Sequence, residues 1–389
     1  MPSSKKNLNW LLLILAGGLV VIVFTSWFTH RQFGPAVQTE IPPVTIASGT
    51  NTQPLALNKS AHLPTVSNSR LQAAFDAIRN AKDTTAARPQ LDELRAALSA
   101  MPTNAAVAAI QQFLDSKTDA STHMGFKVGA DGILTEAPTL RTFLLDELGR
   151  LDPAAAAEYS KIILASMDSP DEWAVALRNL ARGDTSADDR ALLEQKTEEM
   201  LQYEPWQRNP SVGYLESFDV AVYLGGTSLL PTLSNLVRSQ DNPAVAHASF
   251  LALDRLVIND PATTLATLQA DSALLQGREQ TRADYFARAN VNDPQQRQVL
   301  ESYLLNPQTT PAEIDAFAGI FPNDNFMISP NLLTQNQTLD RDALAARDAA
   351  SLRVVQDWLA DPRFANLKPA LTKTSLRLQE FINQESTSQ

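Results

Sequence analysis

Apolar residues recur at helical spacing along nearly the whole chain after Ser69, and this pattern constrains the fold more than any other feature. A spacing of three and four residues places the apolar side chains on one face of an α-helix, and that face has to be buried against another element. The clearest such stripes contain Leu91, Leu94, Leu98, Met101, Leu140, Phe143, Leu144, Leu148 and Leu151. The sequence therefore predicts an all-α fold for residues 69–385.

Proline and capping residues indicate where these helices begin. Asp-Pro occurs at 152–153, 260–261 and 293–294. There the aspartate can accept hydrogen bonds from free amides, and the proline can occupy the first helical turn. Ser169-Pro-Asp-Glu172 and Thr310-Pro-Ala-Glu313 fit a capping box. Including Pro243, the predicted starts lie near residues 153, 170, 243, 261, 279, 294 and 311. Two helices therefore recur roughly every 33–36 residues, the range of helix-pair repeats.

One segment, Leu229–Leu268, resembles a HEAT repeat. It offers a first helix, a turn of the form Asp-x-Pro-x-Val from Asp241, and an Ala-rich second helix, and it ends in leucine. His247 departs from the family, which often has arginine there for a stacked aspartate–arginine ladder. The resemblance implies an α-solenoid that binds proteins on its concave face and has no common chemistry. An irregular helical array is the alternative arrangement of the same helices.

The amino-terminal stretch Trp10–Phe28 has 19 consecutive residues without a charge. A helix of that length spans roughly 28 Å, close to the hydrocarbon core of a bilayer. Lys5 and Lys6 precede it, so the positive-inside rule predicts a cytoplasmic stub, residues 1–9, and a transmembrane anchor, residues 10–28. The body would then lie on the exported side, which is the periplasm in a Gram-negative bacterium. A cleaved signal peptide is the alternative, but the bulky exit of the stretch lacks a small-residue cleavage site.

Residues 29–68 are predicted to be a linker. The segment contains Pro35, Pro42, Pro43, Pro54 and Pro64, many serines and threonines, and no helical period. Such a composition cannot bury enough apolar surface to offset the entropy of ordering the chain. We expect a semi-extended spacer between the membrane and the body.

Charge and cysteine content exclude several classes of function. The formal charge is −11, and residues 1–31 hold Lys5, Lys6 and Arg31 and no acid, so residues 32–389 carry −14. A body of this charge should repel nucleic acid. The absence of cysteine excludes disulfides, thiolate metal sites and cysteine nucleophiles. His30, His62, His123 and His247 are widely scattered, and no metal or cofactor site is predicted from them.

The stretch HMGFKVGADGILTEAP, residues 123–138, has three of the chain's 14 glycines. Phe126-Lys-Val128 and Ile133-Leu-Thr135 flank Gly129-Ala-Asp-Gly132, which favours a short β-hairpin. It lacks the lysine and hydroxyl at fixed spacing that a phosphate-binding loop requires. We expect a structural corner; a binding loop is the alternative.

Two further resemblances concern activity. Tyr214-Leu-Glu-Ser-Phe-Asp219 is similar to the motif around the catalytic glutamate of lytic transglycosylases, which implies Glu216 as a general acid. The downstream Gly-Leu-Met-Gln block of that family is replaced by Leu224-Gly-Gly-Thr-Ser-Leu229. The membrane-anchored lipase foldases have a similar architecture. Their Arg-x-x-Phe-Asp-Tyr signature is only partly present, as Phe75-Asp76-Ala77 with Arg70 two residues early.

No catalytic, cofactor-binding or metal-ligating residue is therefore assigned from the sequence. The function predicted is a membrane-anchored, exported helical-repeat protein that acts as a protein-binding or scaffolding module with an unidentified partner. Arg178, Arg255 and Arg288 are candidates to line its concave face. The alternatives are a client-specific, membrane-anchored chaperone and an envelope hydrolase, such as a lytic transglycosylase, that uses Glu216.

Overall fold

The computed structural model describes residues 65–183, 186–239 and 241–387. The predicted stub and anchor lie outside this range, as do residues 29–64 of the predicted linker. Within the described range, no helix combines the length and the apolar character needed to cross a bilayer.

The described part of the chain is predominantly helical. The helices up to the middle of the chain are α1 (Thr65–Arg79), α2 (Thr84–Ser99), α3 (Thr103–Asp115), α4 (Leu140–Leu151), α5 (Pro153–Ile163), α6 (Pro170–Gly183), α7 (Ala187–Gln202), α8 (Glu204–Arg208), α9 (Val212–Glu216) and α10 (Phe218–Leu224). Helix α1 thus includes the last four residues of the predicted linker, 65–68.

The later helices follow in the same manner. They are α11 (Leu230–Arg238), α12 (Pro243–Asn259), α13 (Pro261–Ala270), α14 (Glu279–Phe286), α15 (Pro294–Leu304), α16 (Pro311–Ile320), α17 (Arg341–Ala360), a 3₁₀ turn (Pro362–Leu367) and α18 (Lys368–Thr387). All seven starts expected from proline and capping residues coincide with observed helix starts.

The predicted caps account for this agreement. The side chain of Asp152 accepts a hydrogen bond from the amide of Ala155 at 3.0 Å, and that of Asp260 accepts one from Thr263 at 3.2 Å. The hydroxyl of Thr310 accepts a hydrogen bond from the Glu313 amide at 3.2 Å. Each cap satisfies an amide that lacks a partner in the first helical turn.

The helices from α4 onward form two rows. In the first row, α4 contacts α6, α6 contacts α9, and α9 and α10 contact α12; the row then continues through α14, α16 and α18. The second row contains α5, α7, α11, α13 and α15; α5 and α7 pack against α6, α11 and α13 pack against α12, and α15 packs against α13. The buried core includes Leu144, Trp173, Tyr214, Leu253 and Phe286, which lie on helices of the first row.

The glycine-rich stretch forms the predicted hairpin between α3 and α4. Its strands are β1 (Lys127–Val128) and β2 (Leu134–Glu136), which pair antiparallel with Lys127 opposite Glu136 and Val128 opposite Leu134. Gly132 has a φ of 76°, in the left-handed region that favours glycine. Arg182 of α6 donates a hydrogen bond to the carbonyl of Asp131 at 2.6 Å and thus holds the turn of the hairpin.

Candidate functional site

Two arginine–carboxylate pairs follow each other along the first row of helices. Asp219 of α10 accepts a hydrogen bond from Arg255 of α12 at 2.8 Å. Asp254 of α12 binds Arg288, just after α14, through two hydrogen bonds of 2.6 and 2.7 Å. The partners are 36 and 34 residues apart in the chain, close to the predicted helix-pair period. Each ion pair therefore connects one helix pair with the next.

Arg178 and Arg288 do not lie on an exposed face, contrary to what we expected from the sequence. Arg178 is fully buried; it binds Asp146 and donates a hydrogen bond to the carbonyl of Gly132 at 2.8 Å. Arg288 is 8% exposed. A buried guanidinium needs a carboxylate and further acceptors to offset the loss of water. Arg178 and Arg288 therefore connect buried elements of the fold. Of the three arginines expected on the concave face, only Arg255 lines an open cavity.

A long connection, residues 321–340, lies against this row of ion pairs, and we call it the crossing segment. It joins α16 to α17 and contains neither helix nor strand. The carboxylate of Asp219 accepts hydrogen bonds from the backbone amides of Leu333 at 2.7 Å and Thr334 at 3.1 Å. Structureless connections of such length are uncommon in compact domains and are often functional.

Arginines bind the same segment through its carbonyl groups. Arg288 donates hydrogen bonds to the carbonyl oxygens of Asn323 at 3.1 Å and Asn325 at 2.7 Å. Arg182 of α6 donates one to the carbonyl of Leu332 at 3.0 Å. The first row of helices thus binds the crossing segment through its main-chain groups and also through side chains, such as those of Asn331 and Thr334, which contact Arg255.

A cavity of about 350 Å³ lies between α9, α10, α12 and the crossing segment. This volume is at the lower end of the range of small-ligand sites. Its apolar walls include Leu215, Phe218, Val222, Leu251, Ile258 and Phe326. Amide side chains from the end of α12 and from the crossing segment complete the lining: Asn259, Asn331, Gln335, Asn336 and Gln337.

Glu216, at the end of α9, is the distinctive polar group of this cavity. Its side chain is half-buried and makes no hydrogen bond or ion pair with any residue that the structure describes. Burial, together with the nearby negative charge of Asp219, raises the pKa of the Glu216 carboxyl, and Arg255 opposes this rise. Glu216 is therefore an acid that is held available at the wall of a cavity.

The other two carboxylates of the cavity are occupied. Asp219 binds Arg255 and two backbone amides of the crossing segment, and Asp254 binds Arg288 through both oxygens. Neither is free to act as a base or to bind a ligand without breaking a buried ion pair. The arrangement therefore offers one available carboxyl rather than a catalytic pair of carboxyl groups.

The structure also shows what the other residues singled out in the sequence contact. Phe75 is buried in α1 and packs against Phe113, with ring centroids 4.3 Å apart, whereas Asp76 is exposed. His247, on the exposed side of α12, lines the cavity and stacks on Phe250 with ring centroids 6.3 Å apart. His123 contacts the carbonyl of Ala81 at 3.0 Å.

Comparison of the chain with protein-family models, with curated proteins and with solved structures finds no match. The HEAT-like pattern of residues 229–268 is therefore supported only by the helix pair α11 and α12, which pack against each other.

Sequence reasoning did not identify the crossing segment or the carboxylates that its amides contact. A usable signal was present, because residues 321–340 interrupt the helical period and are rich in asparagine, glutamine and proline. The position of this segment against Asp219 has no local signal, since 114 residues separate that aspartate from Leu333.

Proposed function

We propose that this protein is a membrane-anchored, exported α-solenoid of HEAT-like helix pairs that binds a protein partner. The observation that carries the proposal is the crossing segment, which Asp219, Arg182 and Arg288 hold by its backbone amides and carbonyls and which exposes Met327 and Ile328 next to each other. Neighbouring exposed apolar side chains on an anchored segment are typical of protein-binding surfaces.

The two rows of helices and the ion pairs that connect them support the repeat architecture. Asp219–Arg255 and Asp254–Arg288 take the place of the aspartate–arginine ladder from which His247 departs. Stacked repeats of this kind present long faces that suit protein binding. The uncharged stretch 10–28 and the proline-rich linker support the anchored, exported arrangement.

The proposal is tested by site-specific photo-crosslinking in intact cells. A photoreactive residue in place of Ile328, which is 66% exposed on the crossing segment, should give a discrete crosslinked protein. The matched control is Ile162 on α5, which is 61% exposed but belongs to the second row. Equal products at both positions, or none at Ile328, would contradict a binding face on the first row.

A client-specific chaperone would use the same face, but it would engage its client only before the client has folded. Pulse-labelling before crosslinking separates the two cases. A scaffold gives a product that persists through the chase, whereas a chaperone gives one that disappears as the newly made client matures.

An envelope hydrolase is the second candidate function, and the surroundings of Glu216 favour it. A half-buried carboxyl with a raised pKa beside a 350 Å³ cavity can donate a proton to a glycosidic oxygen. Incubation of the protein with purified glycan strands tests this candidate. Release of products by the wild-type chain, and at least a 100-fold loss in Glu216→Gln, would support it; intact strands would exclude it.

A further inference from the structure

We propose that the cavity beside Glu216 binds a basic side chain, lysine or arginine, of a polypeptide that lies along the crossing segment. The inference rests on the proposed function, because it takes the occupant to be part of a protein partner. It goes beyond that function by naming the side-chain chemistry that the face selects.

The charges around the cavity favour a cation. Of the three carboxylates in the lining, Asp219 is paired with Arg255 and Asp254 with Arg288, which leaves Glu216, and the imidazole of His247 also lines the cavity. Arg255 is already bound to Asp219 at 2.8 Å and to the side chain of Asn331 at 3.2 Å. The negative charge of Glu216 is therefore not matched by an ion pair within the described chain. A cationic ligand that reaches this carboxylate gains a partner in a partly desolvated site, where charge pairs are stronger than in water.

The shape and chemistry of the walls fit the stem of such a side chain. Leu215, Val222, Leu251 and Ile258 provide apolar surface beside Glu216. Lysine and arginine carry an apolar stem and a charged end, and they bury the stem where the charged end finds a polar partner. A neutral aliphatic side chain would fill the walls but would leave the carboxylate of Glu216 without a partner.

The surface next to the cavity indicates that the cation belongs to a polypeptide rather than to a free amine. Met327 lines the cavity and is 46% exposed, and its neighbour Ile328 is 66% exposed. Exposed apolar side chains next to each other at the mouth of a site are typical of protein-binding surfaces. A chain that covers Met327 and Ile328 can direct one basic side chain inward to Glu216.

Methionine-methyl NMR of the full chain gives a direct test, since the protein has six methionines and Met327 lines the cavity. The probes are Nα-acetyl-lysine N-methylamide and its neutral counterpart Nα-acetyl-norleucine N-methylamide. We expect the lysine probe to shift the Met327 signal with an affinity at least about 10-fold higher than that of the norleucine probe.

Two variants and a control locate the effect. Glu216→Gln should remove the preference for lysine, while Glu93→Gln, an exposed glutamate on α2, should keep it. Ala248→Phe, which places a ring in the cavity, should abolish binding of both probes. Equal affinity for the two probes in the wild-type chain, or a lysine preference that persists in Glu216→Gln, would overturn the proposal.

The remaining outcomes separate this inference from the proposed function. If pentylamine binds as tightly as the lysine probe and crosslinking at Ile328 yields no protein, the cavity is an amine site and the polypeptide occupant is wrong. If crosslinking yields a partner and neither probe binds, the proposed function stands and this inference falls. A partner whose crosslink at Ile328 is lost in Glu216→Gln, but retained in Glu93→Gln, supports both.

Discussion

The guanidinium of Arg288 binds both carboxylate oxygens of Asp254, with Nε 2.6 Å from Oδ1 and Nη2 2.7 Å from Oδ2. The same guanidinium also donates hydrogen bonds to the carbonyls of Asn323 and Asn325. One side chain thus joins α12, the end of α14 and the crossing segment. Because α12, α14 and the crossing segment are distant in sequence, the ion pair between Arg288 and Asp254 is a tertiary contact that holds the first row together.

Replacing Arg288 by methionine should therefore destabilise the protein strongly. The substitution leaves the carboxylate of Asp254 buried without its partner and removes two contacts to the crossing segment. We expect the free energy of unfolding to fall by about 3–5 kcal/mol. Chemical denaturation of the full chain measures the change. The double variant Asp254→Leu/Arg288→Met should recover much of the loss, and a double variant no more stable than Arg288→Met would contradict this account.

We expect Asp219 to hold the crossing segment in place and to contribute less to the free energy of unfolding of the whole fold. The amides of Leu333 and Thr334 share Oδ2 of Asp219, and Arg255 binds Oδ1; Asp219→Asn has only one acceptor oxygen, so it loses either both amide hydrogen bonds or the contact with Arg255. We expect limited proteolysis to cut residues 327–331 several-fold faster than in the wild-type chain. The exposed Asp92→Asn on α2 is the control and should leave the cleavage rate unchanged. Equal rates in the two variants would show that Asp219 does not anchor the segment.

Gly132 and Gly277 both have a φ of 76°. A comparison of their alanine variants therefore separates the cost of the left-handed backbone conformation from the cost of disturbed packing. A Cβ on Gly132 would collide with the Leu332 carbonyl and with Arg182, whereas one on Gly277 would meet open space. Gly277→Ala should cost about 1–2 kcal/mol of unfolding free energy, for the left-handed conformation alone. Gly132→Ala should cost a further ~1–3 kcal/mol for the displaced contacts. Thermal or chemical denaturation compares them, and equal losses would contradict close packing of the hairpin against the crossing segment.

Glu216 should make the stability of the protein depend on pH in a defined direction. Burial and the charge of Asp219 raise the pKa of its carboxyl above the usual 4.5, so the folded state binds this proton more tightly than the unfolded state. The stabilising contribution is complete below pH 4.5 and is lost as the pH rises through the raised pKa. Glu216→Gln cannot ionise. It should therefore become more stable relative to the wild-type chain as the pH increases over this window.

Glu136 provides a control of opposite sign. Its hydrogen bond with Arg88, 2.8 Å long, holds the pKa of the Glu136 carboxyl below the usual value. Glu136→Gln should therefore lose stability relative to the wild-type chain at neutral pH, and the difference should shrink as the pH falls. Urea unfolding at a series of pH values measures both variants. The same slope for both would show that neither carboxyl has the surroundings described here.

The exported arrangement predicts the location of a reporter fused after Gln389. Alkaline phosphatase, which is active only after export, should be active in such a fusion, whereas a reporter that requires the cytoplasm should be inactive. Inserting two lysines after Phe28 tests the cause, because it should weaken the positive-inside bias set by Lys5 and Lys6 and reduce alkaline phosphatase activity. A fusion active only as the cytoplasmic reporter would contradict the proposed topology.

The sequence by itself determined the local structure of the described chain. Pro153, Pro170 and Pro294 mark helix starts because a cap depends only on the next two or three residues. The hairpin around Gly132 was predictable for the same reason, since its two strands are adjacent in the chain. The all-helical character of the body follows from the apolar period.

Only the tertiary structure decided which polar side chains meet. Arg178 and Arg255 both lie within amphipathic helices, yet Arg178 is fully buried and Arg255 lines a cavity. The difference arises from the rotation and stacking of each helix against its neighbours, which local spacing does not specify. The contact between Asp219 and Leu333 likewise depends on how the intervening helices pack, because it joins residues 114 positions apart. The sequence singled out Glu216, but only packing placed its carboxyl beside a cavity without a partner among the described residues.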